Sequence, residues 1–365
     1  MDEKIEIIED RNFRETCPKN KILINRGRDR IMNNIVKNLV LCCLLFSMLI
    51  GLAGCAGSTD TSSKSAQKVV IYTNADKEAV DAMQNSLNAA GYEGKYVLQT
   101  MGTSELGGKL LAEGDKIEAN LVTMSSYFID SAQQKNHMFV DLNFETNALI
   151  KYPAYYAPIL ANTGAIFVNT QVIKDKNLPM PKSVKDLTKD EYKGLVSIPN
   201  IMNSSTAWLL LQSIISEYGE AEGKVVLHKL IENCGPHIET SGSGPIKKVR
   251  VGEVAAGFGL RHQAVADKAA GKVIDYIDPI EGNYSLTESI AVVKKADTAT
   301  TQLAMEMAKV IITKARPDLI KDYPVALYQG ETVTDLNKPS NPKVFAQPLT
   351  VELLEKHQEF FKAAK

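Results

Sequence analysis

The sequence predicts an α/β protein with a mostly parallel sheet, and three observations lead to this prediction. Short β-branched runs alternate with amphipathic segments, beginning with "KVVIYTN" at 68–74 and "DKEAVDAMQNSLNAAG" at 76–91. Glycine, proline and serine turns separate these segments. The chain has 365 residues, of which 44% are hydrophobic, so it is long enough for a sizeable core and two domains. Strands that alternate with helices are typical of βαβ units.

Later segments repeat the pattern. The strands are expected at "KYVLQT", "IEANLVTMSS", "ILANTGAIFVNTQVI", "LVSIPN", "VAAGFGL", "KVIDYIDP" and "SLTESIAVV". The principal helices are expected at "ELGGKLLAEG", "NSSTAWLLLQSIISEYG", "KVVLHKLIENC", "TTQLAMEMAKVIITKA" and "TVELLEKHQEFFKAA". A further helix follows "GFGL", where Arg261 and His262 stand between the strand and an alanine-rich segment.

The charge balance bears on the class of partner. Lys and Arg number 42 and Asp and Glu 43, which gives a formal net charge of -1. Such a chain has no overall field that attracts nucleic acid or an anionic membrane surface. We therefore expect no nucleic-acid partner, and a charged ligand has to be bound by local groups.

The N-terminal region is interpreted as a targeting segment. An apolar block at 39–54 follows Lys37 and ends in "LAGC", and a Ser/Thr-rich stretch follows Cys55. The block is short for a membrane span. Together these features resemble the lipobox of a bacterial lipoprotein, which implies a signal peptide at 32–54, a lipid on Cys55 and a tether at 55–67. The protein would then be exported and anchored on the extracytoplasmic face of the cell membrane. An ordinary secretory signal or a transmembrane anchor is the alternative.

Residues 1–31 are mixed in charge and have no apolar period, so we interpret them as an upstream extension, with Met32 as the start. Of the five cysteines, only Cys234 follows Cys55. No disulfide within the mature chain is then expected, and Cys234 is predicted to be a small buried apolar side chain.

Six segments resemble, in their order, those of a known family. They are "VVIYTNADKEAVDAM", "GTSELGGKLLAEG", "GAIFVNTQVIKDKNLPMPKSVKDLTKDEYKGLVSIPN", "NSSTAWLLLQSI", "SGSGPIKKVRVGEVAAGFG" and "EGNYSLTESIAVVKKA". With the lipobox, this set resembles a type 2 extracellular solute-binding protein of an ABC importer. The nearest branch contains binders of ferric iron, thiamine, 2-aminoethylphosphonate and hexose phosphates. The resemblance covers nearly the whole chain after Cys55.

The resemblance implies a two-lobed fold of the periplasmic-binding-protein type 2 class. Each lobe has a mixed, mostly parallel sheet flanked by helices, and the ligand lies in a cleft between the lobes. Lobe one is expected at 68–160 and 285–365, and lobe two at 161–284. Binding would close the lobes about a hinge. The implied partners are an ABC permease and its ATPase, no cofactor is implied, and we expect a monomer.

The candidate site residues follow the strands, because ligands of parallel α/β sheets bind at the carboxyl ends of strands. Turns that open helices offer free N–H groups, hydroxyls and the positive end of a helix dipole, which suit an anion. Plain helix capping is the alternative for each turn. The candidates from turns are Asn74, Thr103, Ser104 and Ser125 in lobe one, and Ser204, Ser205, Thr206, Ser241, Gly242 and Ser243 in lobe two.

Arg261 and His262 are the remaining candidates in lobe two. The resemblance places them where ferric-iron binders carry adjacent tyrosines, and an arginine cannot ligate a metal. A guanidinium binds a phosphate or phosphonate through two parallel hydrogen bonds, so we expect an anionic ligand and no metal. The only adjacent tyrosines, Tyr155 and Tyr156, are assigned to packing or a hinge. The alternative for Arg261 is an ion pair with an acidic residue, and for His262 a surface position at a helix start.

An amine on the ligand would require a carboxylate in the cleft. Glu281 is the leading candidate for that carboxylate, and Asp278 and Glu288 are weaker ones; solvated loop charges are the alternative. The leading ligand is 2-aminoethylphosphonate, followed by a sugar phosphate, with ferric ion, thiamine or polyamine as alternatives.

The sequence carries no Walker loop, HExxH or GxSxG motif, so a binding protein is expected rather than an enzyme. An α/β enzyme and a sensory or adhesive lipoprotein are the competing classes.

Overall fold

A computed structural model describes residues 68–333 and 338–365. The interpretations made for residues 1–67, including the signal peptide and the lipid on Cys55, lie outside the described residues. The described part contains one ten-stranded mixed sheet.

The sheet begins with three parallel strands and their helices. These elements are β1 (Val69–Thr73), α1 (Lys77–Ala89), β2 (Tyr96–Thr100), α2 (Thr103–Glu113), β3 (Leu121–Ser125) and α3 (Ser126–Asn136). Helix α1 buries Ala79, Met83 and Leu87 against the sheet, because these apolar residues recur on one face. The Asp76 side chain caps its N-terminus by accepting from Ala79 N.

The middle of the chain forms the other end of the sheet. Its elements are β4 (Ala157–Asn169), α4 (Thr170–Asp175), β5 (Val196–Pro199), α5 (Thr206–Cys234), β6 (Ile238–Glu239), α6 (Gly244–Arg250), β7 (Ala256–Leu260), α7 (Arg261–Ala269) and β8 (Ile274–Ile277). The chain then returns through β9 (Asn283–Val292), α8 (Thr298–Val310), a π-helical turn (Ile311–Ala315), α9 (Arg316–Asp322), β10 (Pro342–Lys343) and α10 (Val351–Ala363).

Across the sheet the strands follow the order β2-β1-β3-β9-β4-β7-β5-β6, with β8 paired to β4 and β10 to β9. Strands β4 and β9 therefore join the β1–β3 end of the sheet to the β5–β7 end. The C-terminal part of β9 pairs antiparallel with β3, and its N-terminal part pairs antiparallel with the first half of β4. The second half of β4 pairs antiparallel with both β7 and β8, which lie on its two sides. Glu288 therefore lies in the middle of the sheet, opposite Ser125 on β3 and Leu160 on β4.

Helix α5 replaces the two helices predicted at 203–219 and 224–234. It continues to Cys234 through Gly219, whose φ of 70° and ψ of 175° interrupt the helical backbone. A glycine adopts this conformation without the steric cost of a Cβ atom, so the sequence break remains as a local kink. The prediction that Cys234 is buried is confirmed, because its side chain is fully buried.

Helix α10 packs on α5. Trp208 Nε1 donates to His357 Nδ1 at 2.6 Å, and both side chains are buried. Lys356 pairs with Glu220 at 2.6 Å on the same face. The C-terminal helix, which was expected in lobe one, thus makes these bonds with a helix expected in lobe two. The division into lobes stays a prediction. No helix in the described ranges combines the length and apolarity needed to cross a membrane.

Candidate functional site

A cavity of about 550 Å³ opens at the ends of the strands. Two sets of residues line most of it, and we call them the first wall and the second wall. The first wall includes Asn74, Asp76, Thr103, Ser104, Glu105, Thr123, Glu288 and Tyr323. The second wall consists of Asn203, Ser204, Ser205, Thr206, Thr240, Ser241, Gly242, Ser243 and Leu260. Strand β4 adds Ile159, Leu160 and Asn162.

The second wall is polar but uncharged. It contains the N-termini of α5 and α6, whose N-cap residues Ser205 and Ser243 make no side-chain capping bond. The hydroxyls of these two residues therefore do not cap their own helices, and both residues line the cavity. Gly242 keeps this wall open, because a Cβ atom there would approach Thr206 Cβ to 2.8 Å. The arrangement suits an anion that accepts hydrogen bonds.

The first wall carries all three carboxylates that line the cavity, which are those of Asp76, Glu105 and Glu288. Within the ranges that the structure describes, no Lys, Arg or His side chain is part of the lining. The cavity thus combines negative side chains on one wall with uncharged donors on the other.

Glu288 is the most deeply buried of these carboxyl groups. Its Oε1 accepts from Ser125 Oγ at 2.8 Å, and the Asn74 amide satisfies its neighbours best with its nitrogen 3.0 Å from Oε2. The pKa of Glu288 is raised to about 7, mainly by burial and also by the nearby charge of Asp76, while these hydrogen bonds oppose the rise. A cation in the cavity would favour the ionised form. Among the described residues, Glu288 is therefore a buried carboxyl group without a cationic partner.

The Asp76 carboxyl is more fully engaged. Its Oδ1 accepts from Ala79 N at 3.4 Å and from the Tyr323 hydroxyl, while Oδ2 lies 3.4 Å from His262 Nε2. Burial alone would raise its pKa, but the contacts with His262 and Tyr323 outweigh burial, so the pKa of Asp76 lies below its ordinary value.

The structure brings together most of the residues selected from the sequence. The cavity lining includes Asn74, Thr103, Ser104, Ser204, Ser205, Thr206, Ser241, Gly242 and Ser243. Ser125 lies behind the wall, where its hydroxyl supports Glu288. The binding roles of these residues stay predictions.

Arg261 lies elsewhere than expected. Its Nε donates to Asp278 Oδ1 at 2.7 Å and its Nη2 to Asp278 Oδ2 at 3.1 Å, and the Arg261 side chain is 4% exposed. Arg261 follows β7 and Asp278 follows β8, and these strands flank β4 in the same direction. The C-terminal ends of the two strands therefore lie on the same side of the sheet, where the two side chains meet. The guanidinium forms the ion pair that was the alternative interpretation, and it is not part of the lining.

His262 and Glu281 are also outside the lining. His262 is buried rather than at the surface, with its ring centroid 4.3 Å from that of Tyr323. Glu281 accepts from Val184 N, Lys185 N and Tyr218 Oη at 2.7–3.1 Å. These bonds use both carboxylate oxygens to hold a loop, so Glu281 is not placed to meet an amine.

The tyrosine pair is engaged in packing. Tyr155 Oη donates to Asp130 Oδ1 at 2.7 Å and Tyr156 Oη to Asp130 Oδ2 at 3.3 Å. Burial raises the pKa of both phenols, and neither lines the cavity.

The lining also includes Glu288, which the sequence analysis ranked below Glu281, and Asp76, Glu105 and Tyr323, which it did not select. The signal for Glu288 was a carboxyl group inside an otherwise apolar strand, "SLTESIAVV", where burial requires a compensating partner. Asp76 is the N-cap of α1, and an aspartate at a helix start gives no separate sequence signal for a place in a cavity lining.

Comparison with known proteins identifies the family. A family model described as bacterial extracellular solute-binding protein matches residues 118–336, which is more than half of the chain. An uncharacterized protein of Haemophilus influenzae is 28% identical over 143 residues, and the match spans 39% of this chain and 41% of that protein.

Solved structures agree on the fold. The chain is similar to a periplasmic thiamin binding protein (TM-score 0.67, 16% identity, 85% of this chain and 98% of the other). It is also similar to AfuA from Actinobacillus pleuropneumoniae with fructose-6-phosphate bound (TM-score 0.62, 19% identity, 82% and 93%). A third match is iron-bound HitA from Pseudomonas aeruginosa (TM-score 0.61, 18% identity, 82% and 98%). The predicted fold class is thus confirmed as the periplasmic-binding-protein type, and the chain belongs to the family of bacterial extracellular solute-binding proteins.

Proposed function

We propose that the protein binds a small zwitterionic solute, with an oxyanion at the second wall and an amine at the first, and delivers it to an ABC importer. The observation that carries this proposal is the separation of charge in the cavity. Asp76, Glu105 and Glu288 lie on the first wall, and only uncharged donors lie on the second. 2-Aminoethylphosphonate is the leading candidate. A sugar phosphate is the second candidate, and it would use the second wall without placing an amine at the first.

The oxyanion is assigned to the second wall because neutral hydrogen-bond donors and a helix N-terminus can bind an anion without a cationic side chain. Hydroxyls of Ser204, Ser205 and Thr206 and the backbone around Gly242 offer hydrogen bonds, and the long helix α5 adds the positive end of its dipole. The amine is assigned to Glu288, whose raised pKa of about 7 reflects a buried carboxyl group without a cation.

Calorimetric titration of the exported domain tests the assignment. The titrants are 2-aminoethylphosphonate, ethylphosphonate, ethylamine, fructose-6-phosphate, thiamine and ferric citrate. We expect the zwitterion to bind with a higher affinity than either ethylphosphonate or ethylamine. A preference for thiamine or ferric ion would contradict the proposal, as would equal binding of 2-aminoethylphosphonate and ethylphosphonate. Recovery of the ligand unchanged after prolonged incubation separates a binder from an enzyme.

Export and anchoring complete the proposal. A lipid on Cys55 would hold the domain at the extracytoplasmic face of the membrane, beside the permease and ATPase that receive the solute. Because one acyl chain anchors weakly and two or more anchor firmly, a lipoprotein should fractionate with membranes. Cys55→Ser should release or misprocess the protein. Unchanged membrane fractionation and mass in this variant would contradict lipidation. A permease gene and an ATPase gene beside this one would favour import over a sensory or adhesive role.

A further inference from the structure

We infer that Asp76, Glu78 and His262 form a binding site for a divalent transition-metal ion of the zinc class, at the outer edge of the solute cavity. One ligand atom from each of the three side chains can be chosen so that all lie within 4.8 Å of one another. Asp76 and Glu78 stand at the start of α1, and His262 stands at the start of α7, so the site would join distant parts of the chain.

The His262 imidazole is the observation that points to a ligand beyond the cluster itself. Its side chain is only 6% exposed, and among the described residues its Nε2 has no hydrogen-bond partner and only the long contact with Asp76. A buried ring nitrogen without a hydrogen bond is costly, and neutral imidazole is the commonest nitrogen ligand of metals. The nitrogen is directed at Asp76 Oδ2, which is 3.4 Å away.

This distance agrees with joint coordination. At bond lengths of about 2.0–2.2 Å, two ligands of a tetrahedral zinc ion are separated by roughly 3.3–3.6 Å. The carboxylate is also prepared for the role, because Oδ1 accepts from Ala79 N and Tyr323 Oη, whereas Oδ2 faces the imidazole. The helix cap and the tyrosine thus fix the orientation of the carboxylate, as outer-shell partners of metal ligands do.

The third ligand, Glu78, accepts one long hydrogen bond from a described residue. Gln263 Nε2 lies 3.4 Å from Glu78 Oε2, and Gln263 Oε1 is itself buried without a hydrogen-bond partner. Two adjacent residues on α7 thus carry unsatisfied polar atoms beside the same carboxylates. Two carboxylates and one imidazole suit zinc and neighbouring first-row ions, and the net negative charge of the set favours a dication.

Zinc binding can be measured on the full chain without any solute, so the result is independent of the proposed function. After chelator treatment, titration with ZnCl₂ should show one ion bound per chain, and the melting temperature should rise with Zn²⁺ concentration. Glu78→Gln should weaken binding at least tenfold, since even the loss of an outer-shell partner costs about 10–100-fold. His262→Gln should abolish it.

Asp81→Asn is the matched control, because Asp81 is on the same helix but pairs with Lys77 at the surface, where its side chain is 49% exposed. This variant should bind Zn²⁺ like the wild type. Absence of stoichiometric binding with Zn²⁺, Mn²⁺ and Co²⁺ would overturn the inference. So would unchanged Zn²⁺ affinity in Glu78→Gln, a substitution at a half-exposed position that leaves the core intact.

Discussion

The two walls of the cavity present different chemical groups to a ligand. The first wall presents carboxylates from the N-cap of α1, the first turn of α2 and the middle of β9, whereas the second wall presents hydroxyls and backbone at helix N-termini. Arg261 directly follows Leu260 of the lining but pairs with Asp278. The comparison illustrates how helix N-termini can offer hydrogen-bond donors to an anion while a neighbouring arginine is held in an ion pair.

Arg261→Ala should have the largest effect, and on stability rather than binding. Removal of one partner from a buried ion pair leaves an uncompensated charge and costs about 3–5 kcal/mol. Denaturant unfolding should show this loss, while the solute affinity of the folded protein should stay within about threefold. Lys77→Ala, which breaks an exposed pair with Asp81, is the control and should cost less than about 1 kcal/mol. A tenfold loss of solute affinity at unchanged stability would contradict this prediction and would indicate that Arg261 contacts the solute.

Glu288→Gln should change both stability and binding. The pKa of Glu288 is raised from 4.5 to about 7, so the fold favours the protonated form. The contribution of this group to stability is complete below about pH 4.5 and is lost as pH rises through 7. Because Gln resembles the neutral carboxyl group, the variant without ligand should be more stable at pH 8, by at most about 3 kcal/mol.

The same variant sharpens the contrast between the walls. Its affinity for 2-aminoethylphosphonate should fall by about tenfold to a hundredfold, since a hydrogen bond to a charged group contributes roughly 1.5–3 kcal/mol. Its affinity for ethylphosphonate should be nearly unchanged, because that ligand has no amine. If calorimetry shows an equal loss of affinity for both ligands, Glu288 shapes the cavity but does not bind the amine.

Gly242→Ala tests the second wall alone. The new Cβ atom would lie 2.8 Å from Thr206 Cβ and 3.3 Å from Ser204 Oγ, so the turn has to shift. Overpacking of this kind costs about 1–3 kcal/mol, and oxyanion affinity should fall for amine-bearing and amine-free ligands alike. Gly108→Ala on α2 is a suitable control, because no atom lies within 4 Å of its added Cβ. Wild-type affinity in Gly242→Ala would show that this turn does not contact the solute.

Ser205→Ala should have the smallest effect. The Ser205 side chain makes no capping bond to α5, so its removal should alter stability by less than about 0.5 kcal/mol. A neutral hydrogen bond contributes about 0.5–1.5 kcal/mol, which corresponds to a loss of affinity of roughly two- to tenfold. Loss of stability with intact binding would identify Ser205 as a structural residue.

Local signals were sufficient for the strand-end turns. Ser204, Ser205, Ser241 and Gly242 were selected because small polar residues follow strands and open helices, and these segments do meet at one cavity. A turn depends on the types of a few consecutive residues, so it can be predicted without knowledge of the strand order.

The partner of Arg261 could not be found in this way. Asp278 is 17 positions away in sequence, and the two residues meet only because β7 and β8 flank β4. Burial of Glu288 likewise depends on β9 lying between β3 and β4. Helices α3 and α9 were not predicted, since each follows its preceding element with no intervening turn signal.

The position of β9 also has a consequence for the order of folding. Strand β3 pairs with β9 through Leu121 and Val292, so one side of β3 has no partner until nearly 300 residues have been made. Contacts between segments so distant in sequence close slowly, because the loop entropy is lost before the pairing is gained. An unpaired central strand is a template for association with other chains. Nascent chains of this protein should therefore need protection from aggregation until β9 emerges, and fragments that end before Asn283 should be recovered as aggregates.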